Sequence, residues 1–112
     1  MVAGPYRAGG ADLPARAANL RRLNQAAVAL LRAGHVPVIG VNMALPMIEA
    51  AGGDQAAYDQ VMMPVSLALA ARCDACLRIG GASAGAEVAR FQAAGKPVYR
   101  SLSEVPAAGA GG

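Results

Sequence analysis

At 112 residues the chain is long enough for one domain and too short for two with separate cores. Hydrophobic residues at 55% against 15% charged exclude a disordered or solvating protein. The net charge of +3 rests on nine arginines and one lysine spread along the chain, which excludes a polyanion-binding stripe; one Phe, three Tyr and no Trp supply few rings for base stacking.

In chain order, Met1 to Gly4 is a short apolar run stopped by Pro5, which predicts a first buried strand. Arg7 to Ala11 (R-A-G-G-A) reads as a permissive turn. Asp12 or Leu13 starts a helix with Pro14 in its first turn, running to about Ala33 with Gly34 as its stop. Leu20, Leu23, Ala27, Leu30 and Leu31 form its apolar stripe. Val36 to Gly40 (V-P-V-I-G) predicts a second strand, at a sheet edge because Pro37 cannot donate. A short helix is expected over Leu45 to Ala51. A longer one, capped by Asp54, runs through Arg72 with a kink at Pro64. Ala75 to Ile79 predicts a third strand, Gly80 to Gly85 a glycine-rich turn, Ala86 to Ala94 a helix stopped by Gly95, and Pro97 to Arg100 a fourth strand. Residues 1–106 then form the single domain, and 107–112 a small-residue, disordered tail.

This alternation predicts an α/β fold, a Rossmann-like or flavodoxin-like doubly wound parallel sheet of four strands. Right-handed crossovers make 2-1-3-4 the most economical order. Ligands in such sheets bind beyond the carboxyl ends of the strands, between strands one and three. The turns at Pro5–Ala11 and Gly80–Gly85 follow those two strands.

No signal-peptide pattern precedes the first strand. The longest apolar stretch, Val61 to Ala71, is about half a membrane span, so a soluble, cytoplasmic protein is expected. Cys73 and Cys76 form a C-x-x-C at a helix end rather than a helix start, which disfavours a thiolate there. With His35 the lone histidine, ligands for a zinc site are also short. The cysteines read as packing residues, and neither metal nor cofactor is expected.

The chemistry-bearing residues lie in the two turns. In Gly80 to Glu87 (G-G-A-S-A-G-A-E), glycines let amides approach an anion, Ser83 adds a hydroxyl, and the helix start adds its positive dipole end. Glu87 falls in that helix's first turn, where it either complements the dipole or reaches the cleft. Gly4 to Asp12 (G-P-Y-R-A-G-G-A-D) sets Tyr6, Arg7, Gly9 and Gly10 opposite. A carboxylate, a phenol and an Arg/Ser pair around one cleft suit a phosphorylated sugar. Asn42 and Tyr58 are further candidates, for base contact and for reaching the cleft, while His35 lies at the far end.

Over Ala3 to Ser101 the chain resembles the nucleoside 2-deoxyribosyltransferase superfamily, in particular its small uncharacterised members and the deoxyribonucleoside 5′-monophosphate N-glycosidases. The likeness rests on G-P-Y, the R-x-G-G turn, Asp74 before the third strand, S-A-G-A-E at Ser83 to Glu87, Gly95 and G-K-P-V-Y. It implies a Glu87 nucleophile, with Tyr6 beside the sugar and Arg7, Gly9, Gly10, Ser83 and Gly85 around a phosphate. The implied reaction is cleavage or transfer of the N-glycosidic bond of a (deoxy)ribonucleoside or its 5′-monophosphate. It also implies a homodimer or larger assembly. Ser66 and Gly81 stand where relatives carry acids, leaving Asp59 and Asp74. Two alternatives stay open: a non-catalytic nucleotide- or phosphosugar-binding module, and a phosphoribohydrolase of the lysine-decarboxylase-like type, whose turn G-G-x-S-x-G-x-E resembles.

Overall fold

A computed structural model describes residues 1–7, 12–80 and 85–108. Two aspartates and their neighbours set the helix starts. Asp12 Oδ1 accepts from the Ala15 amide at 2.9 Å and opens α1 (Leu13–Arg32), with Pro14 in the first turn. Asp54 Oδ1 does the same for Ala57 at 2.9 Å, opening α3 (Gln55–Arg72). Between them lies α2 (Gly40–Ala50), which has no side-chain cap because its N-cap residue is Ile39. A fourth helix, α4 (Gly85–Ala93), follows the second strand, and a 3₁₀ turn covers Leu102–Glu104.

The sheet is small. β1 (Val2–Ala3), β2 (Cys76–Arg78) and β3 (Val98–Tyr99) pair in parallel in the order β1-β2-β3. Val2 sits opposite Leu77, and Cys76 opposite Val98. The alternation of residues along these strands sends side chains to two faces. On one face Val2 and Leu77 pack with Leu23, Ala26 and Leu30 of α1, and with Ile39. On the other, Ala3 and Cys76 pack with Ala70 of α3 and with Val88 and Phe91 of α4. A third cluster belongs to the helices alone: Ala44 and Ile48 of α2 against Ala57 and Met62 of α3.

This corrects the expected architecture. The chain is mostly helical around a three-stranded sheet, and no four-stranded doubly wound sheet forms. Of the predicted second strand, Val36 to Gly40, residues 36–39 belong to no strand and make one backbone bond to β1, from Val2 N to Val38 O at 2.8 Å, while Gly40 is already helical. Pro37 has no amide to donate, and α2 begins at Gly40, so too few residues remain to build a ladder. The short helix expected from Leu45 therefore starts five residues earlier. Leu31, expected on the apolar stripe, is exposed.

At the carboxyl-distal side of the sheet, His35 Nε2 lies 2.6 Å from Pro106 O, and the Ala108 amide donates to Ala33 O at 2.9 Å. Ala108, at the start of the expected tail, thus bonds to the end of α1, and residues 109–112 lie outside the described residues. No helix among the described residues is long and apolar enough to cross a membrane.

Candidate functional site

Two backbone contacts bring the turns after β1 and β2 together. Ile79 N donates to Ala3 O at 2.9 Å, and the next residue on the first turn, Gly4, lies so close that a Cβ there would stand 2.8 Å from Ile79 O. Gly80 has a φ of +75°, and a Cβ on it would fall 2.7 Å from the Pro5 ring. Only glycine satisfies both the left-handed backbone and that approach. The chain leaving β1 is thereby aimed over the sheet's end, toward α2 and α3.

A cavity of about 210 Å³ opens there. Its walls include Tyr6 and Arg7 from the first turn, Glu87 from the first turn of α4, Tyr58 and Ser66 from α3, and Gly40 and Val41 at the start of α2. Four residues singled out from the sequence for the cleft, Tyr6, Arg7, Tyr58 and Glu87, therefore line one space.

Arg7 is held in place. Its Nη1 donates to Gln55 Oε1 at 3.2 Å, and its guanidinium carbon stands 3.9 Å from the centre of the Tyr58 ring. Such a cation–π contact contributes about 0.5–1 kcal/mol at a partly exposed site. Gln55 is oriented in turn by donating Nε2 to Asp59 Oδ1 at 2.7 Å. The fork keeps donors beyond the single bond to Gln55, which suits a phosphate or carboxylate. Tyr6 is fixed through its carbonyl, which accepts from Asn19 Nδ2 at 2.9 Å.

Glu87 is half-buried, and no group among the described residues donates a hydrogen bond to it. Burial pushes its carboxyl above the ordinary value of 4.5, because the charged form loses water without gaining a partner. A desolvated carboxylate facing a cavity is suited to attack an electrophilic carbon or to stabilise a developing cation.

The remaining candidates separate. Asn42 is exposed and donates Nδ2 to Asn24 Oδ1 at 2.7 Å; it is not part of the cavity wall. Gly85 is exposed, with open space where a side chain would go. Gly9, Gly10 and Ser83 lie outside the described residues. Asp59 and Asp74 are both exposed and neither lines the cavity. Cys76 is sealed in the sheet core, and burial above all pushes its thiol up to about 11; Cys73 caps α3, and the two thiols are free. No group of three or more metal-ligating side chains occurs among the described residues.

Sequence reasoning did not place Ser66, Gln55 or the start of α2 at this site. Only the C-x-x-C-distant position of Ser66, eight residues before Asp74, marked it, and then as a missing acid. Comparison of the chain with family models, with curated proteins and with solved structures finds no match.

Proposed function

We propose that this chain cleaves or transfers the N-glycosidic bond of a (deoxy)ribonucleoside or its 5′-monophosphate, with Glu87 as nucleophile. The supporting observation is the cavity shared by Tyr6, Arg7 and a desolvated Glu87 that has no hydrogen-bond partner among the described residues. The Glu87 carboxylate attacks C1′ through an oxocarbenium-like transition state, the C1′–N bond breaks, and the base leaves with the bonding pair. The resulting glycosyl ester is resolved by water or by a second base, which restores the carboxylate and the starting configuration. Tyr6 lies beside the sugar, and Arg7 neutralises an anionic substituent; the glycine-rich turns that carry Gly9, Gly10, Ser83 and Gly85 are further phosphate donors in this reading. A 210 Å³ cavity is smaller than the roughly 300–1,000 Å³ of sites that enclose drug-sized ligands, and suits a sugar phosphate whose base projects outward.

One observation favours a second reading, a non-catalytic phosphosugar-binding module: among the described residues Glu87 is the sole acid on the cavity wall, so none is at hand to protonate the departing base. One experiment decides between them. A panel of ribo- and deoxyribonucleosides and their monophosphates is incubated with the protein and with Glu87→Gln, and free base is measured. Base release that falls on the order of 10³-fold or more in the variant supports the nucleophile. Release that survives the substitution removes it, and saturable binding without release favours the module.

An assembly of two or more copies belongs to the same proposal. Met43 and Met47 of α2 and Met63 of α3 are exposed apolar side chains on neighbouring helices. Sedimentation velocity is expected to give a species of at least twice the chain mass, and a monomer at micromolar concentration contradicts it. The free thiols accord with a reducing compartment, the cytoplasm in this reading.

A further inference from the structure

We infer that the start of α2, together with the Ser66 hydroxyl, is the seat for the phosphate monoester of the ligand. This inference rests on the cavity being the ligand site and assigns an anion-binding role within it to residues that the turns do not include.

The backbone supplies the first half of the argument. A helix begins with amides that have no intrahelical acceptor, and those of α2 also lack a side-chain cap, since Ile39 occupies the N-cap position. Its first turn carries no acidic residue. Gly40 is buried and Val41 half-buried, and both line the cavity, so the uncapped start of α2 borders that space. The other two long helices, α1 and α3, both have an aspartate cap; α2 does not.

Ser66 supplies the second half. It is 3% exposed, the one polar residue buried to that degree among those described. It lies directly over the start of α2: a Cβ on Gly40 would stand 3.0 Å from Ser66 Cβ and 3.2 Å from its Cα, with the hydroxyl nearer still. No hydrogen bond to that hydroxyl forms among the described residues. Yet no described side-chain oxygen or nitrogen is both sealed from solvent and unpartnered. The hydroxyl therefore opens into the cavity that Ser66 lines. The hydroxyl and the start of α2 thus border the same space, and the helix dipole adds partial positive charge. Arg7, on another wall, contributes a full charge to the same space. This set matches the oxygens of a phosphate monoester, an acceptor-only dianion.

The test is calorimetric titration of the full chain with inorganic phosphate, in a phosphate-free buffer. Wild-type protein is expected to bind saturably. Ser66→Ala removes one donor without adding bulk and is expected to weaken binding about tenfold, as for a hydrogen bond to a charged group. Asn42→Asp places an isosteric carboxylate in the first turn of α2. The gain from the helix dipole offsets the lost bond from Asn42 Nδ2 to Asn24 Oδ1, so the variant's melting temperature is expected to change little, while phosphate binding weakens at least about threefold through repulsion. Weaker binding at unchanged stability would not follow from a packing role alone. No saturable binding by wild type, or affinities in both variants equal to wild type, overturns the assignment. The two proposals fail separately. Phosphate binding weakened by both substitutions, with no base released from any nucleotide, overturns the glycosidase reading and upholds this one. Base release with phosphate affinity indifferent to both substitutions does the reverse.

Discussion

Glu87 shows how a residue's position changes its chemistry. In an exposed first turn a glutamate gains from the helix dipole and keeps its ordinary acidity. Here burial outweighs that gain and raises the carboxyl above 4.5. The native state then holds the proton more tightly than the unfolded chain. Stability is fully present below about pH 4.5 and falls as pH rises through the native value, where the folded protein must carry a desolvated charge. Glu87→Gln removes this loss. Melting temperatures of the two proteins, measured from pH 4 to pH 8, should diverge in favour of the variant as pH rises; a constant difference would contradict the burial argument. In the proposed glycosidase reading, where Glu87 must be ionised to attack, the same shift would place the acid limb of kcat/KM above the usual carboxylate range.

At the scale of elements, the contact of Gly80 with Pro5 sets the angle between the two turns that carry Tyr6, Arg7 and Glu87. Gly80→Ala combines a φ of +75° with a Cβ at 2.7 Å from the ring. It should cost about 1–3 kcal/mol in chemical denaturation and lower any glycosidase activity by displacing the first turn. Unchanged stability would mean the turns do not depend on each other. Elements with chemical punctuation were legible in the chain: Asp12 and Asp54 marked the starts of α1 and α3, and Gly34 and Gly95 the ends of α1 and α4. The start of α2 was not, because Ile39 is no capping residue and Gly40 reads as a breaker. V-P-V-I-G was misread as a strand since a short apolar run carries no period to separate strand from other buried chain. For the site, Tyr6 and Arg7 could be named because they follow β1 within a few residues, and Glu87 because it opens the helix after the glycine-rich turn that follows β2. Tyr58 could be named as a residue able to reach the cleft from α3, whereas the place of Ser66 over the start of α2 depends on how α2 and α3 pack, which local pattern does not encode.

For the whole molecule, the three clusters are unequal in what they join. Two of them fasten helices to the sheet. The third fastens α2 mainly to the first half of α3, with Tyr6 and Tyr58 packed at its border and Val41 shared with the sheet-side cluster. Pro64 lies between Met62, in that cluster, and Ala70, in the sheet's. It removes one helical hydrogen bond at that point, and Gly52 and Gly53 join the two helices with open space around both. The cavity runs along this seam, with sheet-side residues on one flank and α2 and α3 on the other. Amide protons report such seams. Those of α2 and residues 55–63 are expected to trade with deuterium sooner than those of β1, β2 and residues 20–30, through openings that leave the sheet intact. A molecule spanning the cavity touches both flanks, so millimolar phosphate should slow the faster class and leave the slower one unchanged. In that case the ligand would act as a clasp, and occupancy could be followed from the backbone alone, without any turnover.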